Sequence, residues 1–375
     1  MDFSLSEEQE LIRASAREFC EREIAPHARE WDREEDIDRG LVQKLADIGY
    51  LAGWELDTVS YALVMEELGR ADSSARGIVS VNVGLVGKTI ARWGTDEQRA
   101  EWLPRLGSGE CLGCYALTEP GSGSDPASLT TRAARDGDEW VLSGSKIFIT
   151  LGSWAGIALV FTRTGAEGAR GLTCFLVPTD SEGFSATRIK GKLGLRAQDT
   201  AELSLDGVRV PDSNRLGAEG DGFKVAMSAL DSGRISLAAG CVGIAQGCLD
   251  ACLRYAAERR QFGKPIAAHQ LVQELIADIA VECDAARLLT WRAAALADAG
   301  VRHTLESSIA KYFASEASVR AANAAVQVHG GYGYIDEYPV GKYLRDARVT
   351  TLYEGTSQIQ KLIIGRALTG ESAFG

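Results

Sequence analysis

The chain has 375 residues, 45% hydrophobic and 25% charged, the balance of a water-soluble fold with a large core. Its formal net charge of -12 argues against nucleic acid as the main partner, because phosphate backbones call for an excess of Lys and Arg; a small anion in a local basic pocket stays open. No window shows the ~18 uninterrupted apolar residues of a membrane span. The polar, acidic N-terminus lacks signal-peptide and transit-peptide character, so no membrane span and a cytoplasmic location are expected.

The first ~110 residues read as helical. Ser6 and Gln9 form a candidate capping box, Ile12, Ala16 and Phe19 recur at helical spacing, and Pro26 ends or kinks the run. Further helices are expected over 40–48 and 58–68, and a buried apolar helix over 80–93. Thr95 to Gln98 reads as the start of another short helix. Near Leu112 the texture changes to short β-rich runs between Gly, Ser and Asp turns: 140–142, 146–150, 158–161 and 173–177, then 203–205 and 208–210 as a last pair. After Gly222 the strands stop. Long helices are expected over 223–260, 267–297 and 305–328, with a short one over 356–368. Helices, then strands, then helices is an α+β order rather than an alternating βαβ one. The implied domains are residues 1–111, 112–217 and 218–375. Of the eight cysteines, Cys111 and Cys114 make a C-x-x-C with no second pair at zinc spacing, and read as packed strand residues. Cys241, Cys248 and Cys252 share one helical face and read as small buried side chains.

Four patches carry chemistry. The run Tyr115-Ala-Leu117-Thr118-Glu-Pro-Gly-Ser-Gly123-Ser124-Asp leads an apolar strand into a Gly-rich turn with hydroxyl and amide donors. It lacks the spacing of a Rossmann dinucleotide site, and by itself is equally a structural hairpin turn. Tyr353-Glu354-Gly355-Thr356 sets a carboxylate between an aromatic and a Gly, just before the last helix. A Glu in an apolar site has a raised pKa and suits proton abstraction. Taken alone it is slightly better read as a solvated loop residue, or as an offset to Arg345 and Arg348. Glu258 to Pro265 ends a helix with a basic cluster, either a pyrophosphate clamp or favourable charge at a helix C-terminus. Gln327 to Tyr334 is a Gly-rich helix exit, at minimum a C-cap.

Together these patches resemble the acyl-CoA dehydrogenase family, most like its short- and medium-chain members. The runs YALTEPGSGSD, KLGLRAQDT, ERRQFGKPI, QVHGGYGY and YEGTSQIQ stand in family order over nearly the whole chain. The resemblance implies an N-terminal helical domain, a β-barrel-like middle domain and a C-terminal four-helix bundle. It implies FAD as cofactor, an acyl-CoA substrate, an electron-transfer flavoprotein as acceptor and a homotetramer. By matching position, Tyr115, Leu117, Thr118, Gly123, Ser124, Phe148, Ile149 and Thr150 would meet the flavin. Arg259, Phe262, Gln270, Gln327, Gly330 and Gly331 would hold the pyrophosphate and adenosine, partly across a subunit interface, and Thr356 and Gln358 the catalytic side of FAD. Ser124, Asp231, Arg234, Tyr353 and Gly355 would meet the substrate. Glu354 would remove the α-proton while the β-hydride moves to flavin N5. Family branches that carry the base on a long helix have it where this chain has Gly233, which cannot act. Val79 and Val83 are expected to set pocket depth. The chain departs from the family in lacking roughly ten residues after Trp54, in Phe148 where Trp is common, and in Leu151 where Asn is common. Alternatives are the same dehydrogenation on a carrier-protein thioester, an oxygen-using flavin oxidase or monooxygenase, and an inactive partner subunit.

Overall fold

A computed structural model describes residues 4–374. The N-terminal part contains α1 (Glu7–Glu23), α2 (Ala28–Glu34), α3 (Gly40–Asp47), α4 (Thr58–Ala71), α5 (Ser73–Val79), α6 (Lys88–Trp93) and α7 (Asp96–Gly107). Both capping boxes expected or suggested by sequence are formed. Ser6 accepts from Gln9 N and Thr95 from Gln98 N, and each Gln side chain returns to the backbone N–H of its cap. Helix α2 was not foreseen; its charged sequence has too few apolar positions to show a period.

The expected buried helix over 80–93 is present, but its first part does not have an α period. Ser80–Gly87 is a π-helical segment between α5 and α6. Each π turn shifts the phase of the residues after it, so the side chains facing the cavity are not those an α period selects. Asn82 holds the segment in place: its Nδ2 donates to Leu106 O, and its Oδ1 accepts from Gly113 N at 2.9 Å. The short connection after Trp54 closes tightly. A 3-10 turn at Tyr50–Ala52 leads to Asp57, which caps α4, while the Trp54 ring lies on Gly87 and Gly107, where a Cβ would meet it.

The middle part holds β1 (Gly113–Ala116), β2 (Arg132–Asp136), β3 (Glu139–Thr150), β4 (Ile157–Arg163), β5 (Leu172–Pro178), β6 (Phe184–Arg188), β7 (Thr200–Pro211) and β8 (Arg215–Leu216). They form one sheet in the order β6-β7-β3-β2-β4-β5-β8, with β1 parallel to β4. The runs 203–205 and 208–210 are not a pair of strands but parts of β7. Gly207, at φ 68°, absorbs an extra residue opposite Leu142 to Gly144. A second bulge lies on β3, where Lys146 to Ile149 faces only Leu203 to Ala201.

The C-terminal part is a bundle of α8 (Gly222–Glu258), α9 (Gln270–Asp298), α10 (Thr304–His329), α11 (Val340–Thr350) and α12 (Ser357–Thr369), with a small hairpin of β9 (Arg260–Gln261) and β10 (Lys264–Pro265). Helix α11 was unforeseen. By length and mean hydropathy α8 passes as a candidate span, although polar residues interrupt its apolar run; 83% of that window is buried inside the fold, where α4, α9 and α10 pack against it. Close approach to α4 is possible because Gly69 and Gly243 present bare backbone to the facing helix. The eight cysteines are free and buried, Cys111 and Cys114 included.

Candidate active site

A cavity of about 1370 Å³ opens where the three parts meet. Its β side is built from two segments. Residues 115–125 leave β1, turn back through the Glu119–Ser122 bridge, and are tied to β3 by Ile147 N donating to Thr118 O at 3.0 Å. Beneath them Lys146 is fully buried, donating to Glu119 Oε1 at 2.8 Å and to Leu117 O at 3.2 Å. Glu119 also accepts from Thr130 N, Thr130 Oγ1 and Thr131 N. Burial alone would raise the Glu119 pKa, but Lys146 and these donors outweigh it and bring it down to about 2. Burial brings Lys146 down to about 8, Glu119 resisting. Desolvation thus works against the pair, and what it secures is the position of two loops. The bulge on β3 puts Phe148 at φ 59° and leaves the residue 66% exposed on the cavity wall, beside Ile149 and Thr150. Leu151 follows at φ 64°, fully buried, its N–H donating to Asp199 O. Asn takes a left-handed backbone more readily than Leu, so this departure from the family adds strain.

The opposite side carries the carboxylate. After α11 the chain turns through Glu354 (φ 52°) and Gly355 (φ 88°), both left-handed. A non-Gly residue there costs about 1–3 kcal/mol unless its surroundings fix it. Lys311 Nζ, buried on α10, donates to Gly355 O at 2.7 Å, and Gln360 Nε2 donates to Glu354 O and Gly355 O. Thr356 caps α12 by accepting from Ile359 N, and Ser357 donates to Glu316. So held, Glu354 points its carboxyl at α8. A Cβ on Gly233 would stand 2.5 Å from Glu354 Oε2 and 2.9 Å from Leu85 Cδ2. Oε2 is shut from solvent and has no hydrogen-bond partner. Burial raises the Glu354 pKa, and Arg76, Lys311 and Arg234 pull it back in part. The Glu354 N–H takes no part in the backbone hydrogen bonds of the turn.

Of the residues singled out by sequence, the cavity wall gathers Tyr115, Leu117, Thr118, Gly123, Ser124, Phe148, Ile149, Thr150, Asp231, Arg234, Tyr353, Glu354 and Gly355. Arg234 is buried and donates to Asp231 at 2.7 Å, and Asp231 accepts from Thr304 Oγ1. Thr356 and Gln358 lie outside this wall, the first engaged in its cap and the second exposed. Arg259, Gly330 and Gly331 line a separate surface hollow of about 450 Å³ that shares no residue with the cavity. Phe262, 93% exposed, and Gln270 and Gln327 are likewise on the surface. Val79 and Val83 are packed in the core; Ser80, Val81 and Leu85 reach the cavity instead. Sequence reasoning also missed Arg76, Gln198 and Lys311. A cation inside an apolar helical run was the only signal for Arg76 and Lys311.

This arrangement, a half-buried carboxylate with one oxygen shut from solvent, facing a roomy cavity between a β-domain and a helical bundle, belongs to a chain that matches known proteins across its length. Family profiles described as acyl-CoA dehydrogenase N-terminal, middle and C-terminal domain cover residues 6–110, 114–208 and 220–369. The chain is 42% identical over 375 residues to "Acyl-CoA dehydrogenase" of Bacillus subtilis (strain 168), covering 98% of this chain and 99% of that one. Butyryl-CoA dehydrogenase from Megasphaera elsdenii superposes with TM-score 0.96 at 37% identity, covering 98% of this chain and 100% of that chain. A glutaryl-CoA dehydrogenase from Mycobacterium smegmatis, in complex with FADH2, gives 0.95 at 36%, covering 99% and 97%. The chain belongs to the acyl-CoA dehydrogenase family and is an oxidoreductase.

Proposed function

We propose that this chain catalyses FAD-dependent α,β-dehydrogenation of an acyl-CoA thioester, with Glu354 as the base. The observation that carries the reading is the Glu354 carboxyl itself: strained backbone, a buried oxygen without a partner, and a raised pKa in a cavity. A base that makes no hydrogen bond at rest is ready to accept a proton from carbon. The free Glu354 N–H stands beside it as a donor for the thioester carbonyl oxygen, where negative charge grows as the α-proton leaves.

The residues present fit FAD. At about 1370 Å³ the cavity exceeds the ~300–1,000 Å³ of an ordinary small-molecule site, which leaves room for a flavin ring and an acyl chain side by side. Thr118, Phe148, Ile149 and Thr150 would line the ring, and Tyr353, Glu354 and Leu85 the acyl chain. When bound, FAD supplies the two-electron acceptor for the β-hydride. Arg234, oriented by Asp231, and the exposed Arg302 and Arg366 on the rim would meet the anionic CoA carrier. None of the exposed group Arg259, Phe262, Gln270, Gln327, Gly330 and Gly331 lines the cavity of its own chain. This supports an assembly in which one protomer completes the FAD site of its partner, and the family's homotetramer is the form we infer. An electron-transfer flavoprotein would reoxidise the enzyme. Eight free thiols suit a reducing, cytoplasmic setting.

The test is anaerobic bleaching of the holoenzyme flavin by acyl-CoAs of graded length. We expect rapid bleaching by the wild type and a fall of about 10²–10⁴-fold or more in Glu354→Gln. Bleaching by the variant at the wild-type rate would remove Glu354 from the mechanism. Oxygen uptake during turnover would point to an oxidase or monooxygenase instead.

A further inference from the structure

The far end of the acyl side of the cavity is not apolar. Arg76, on α5, lines the cavity and is only 3% exposed. Its Nη2 donates to Tyr353 Oη at 3.0 Å, while Nη1 has neither a hydrogen-bond partner nor contact with solvent. The nearest acid on its own helix, the capping Asp72, is committed to Lys342 at 2.7 Å. Around the base, three cations (Arg76, Lys311 and Arg234) face two carboxylates, Glu354 and Asp231. A guanidinium stays protonated under any ordinary condition; Glu354 attracts Arg76 across the site, but no carboxylate hydrogen-bonds to it, and its buried Nη1 stays unsatisfied unless a ligand reaches it.

Helix α8 supplies a ruler. The Glu354 carboxyl meets it at Gly233, and the Arg76 side chain lies on it at Gly240, where a Cβ would be 2.5 Å from Arg76 Cδ and 2.6 Å from Nε. Seven residues are two turns, so the two contacts lie on one face, roughly 10 Å apart along the axis. Between them Ser236 Oγ is 3.1 Å from Ser80 Oγ, and Ser80 itself lines the cavity. A substrate with its α-carbon at Glu354 therefore runs along α8, past a hydroxyl pair, towards an under-partnered cation. A plain alkyl end would leave that cation unpaired. A carboxylate would take two parallel hydrogen bonds from it.

We propose that the acyl group taken by this site ends in a carboxylate, a short ω-carboxyacyl thioester, and that Arg76 binds that terminus with Tyr353 as its positioning partner. This rests on the dehydrogenase reading above. The spacing along α8 limits the chain to a few methylenes between the two acyl ends. Gly240 is then part of the specificity, because a side chain there would displace the guanidinium.

The experiment compares glutaryl-CoA with pentanoyl-CoA, and adipyl-CoA with hexanoyl-CoA, as reductants of the flavin in the anaerobic holoenzyme. In the wild type kcat/KM should favour the carboxylate member of each pair by about 10²-fold, the order expected for a buried charge pair. In Arg76→Met that ratio should collapse, mainly through KM, and Arg76→Lys should fall between. A wild-type preference for the uncharged member overturns the proposal and leaves the dehydrogenase reading intact. So does an equal loss on both members in Arg76→Met with a shifted pH profile, which would make Arg76 a tuner of Glu354. Bleaching by none of the four thioesters or longer acyl-CoAs overturns both. The wild-type ratio decides the matter even if Arg76→Met does not fold.

Discussion

The two walls of the cavity are built on opposite terms. On the β side the polar groups that hold the two wall segments are paired: Lys146 with Glu119 and Leu117 O, Glu119 with the Thr130–Thr131 backbone, Asp199 with Ser153. Elsewhere in that part Arg188 Nε and Arg196 Nε lack hydrogen-bond partners. On the helical side Glu354 Oε2, Arg76 Nη1 and Arg234 Nε are buried without partners. Satisfied networks hold backbone in one place, whereas unsatisfied ones are open to what arrives. The β wall therefore reads as a fixed seat for a rigid ring, and the helical wall as the part that does chemistry and selects substrate.

Changes that break this contrast on the helical side should have the largest effects. Next to Glu354→Gln stands Gly233→Ala, which drives a methyl into the base and into Leu85. A misplacement of that kind lowers kcat by about 10²-fold, and stopped-flow flavin reduction would read it while circular dichroism stays native. On the β side, Lys146→Met leaves Glu119 buried without its cation. Loss of one partner of a buried pair costs about 3–5 kcal/mol. Urea unfolding should show it, and Lys146→Met with Glu119→Gln should recover part of the loss. If the single variant is as stable as wild type, the seat is not held by this pair.

The pH dependence sharpens the helical side. As the proposed base Glu354 would act ionised, and burial raises its pKa, so the rising limb of kcat/KM should lie above the ordinary carboxylate range. Lys311 opposes that rise. In Lys311→Met the opposing charge is gone, the Glu354 pKa climbs further and the limb moves to higher pH. A limb that stays in place would mean Lys311 only braces the Gly355 turn. The smallest effect belongs to Thr356→Ala, which removes the cap of α12 at about 1 kcal/mol and should lower thermal stability with little change in the pH profile.

Much of the fold was legible because its signals are local. The Ser6 and Thr95 caps, the Asp136-Gly137 turn and the long apolar periods of α8 to α10 are written within a few residues of where they act. Helix α2 lacked such a signal, being mostly charged; α11 does carry a local one, Val340, Tyr343, Leu344 and Ala347 at helical spacing, but within only eleven residues between two motif-bearing segments. The single strand β7 was divided because Asp206-Gly207 has the composition of a turn, and only pairing with β3 makes it a bulge. In the candidate site, Glu354 and the loop 115–125 stood out by motif.

What sequence by itself determined was the order of blocks, the family and the motif that carries the candidate carboxylate, all of which depend on neighbours in the chain. Tertiary structure decided the rest. The π-helical phase set which of residues 79–85 face the cavity, and α8 brought Gly233 to Glu354 and Gly240 to Arg76. Arg76 and Tyr353 are 277 positions apart, and no local pattern could announce their contact. The physical reason is common to all these cases: a buried charge acquires its meaning from what surrounds it, and those surroundings come from distant segments.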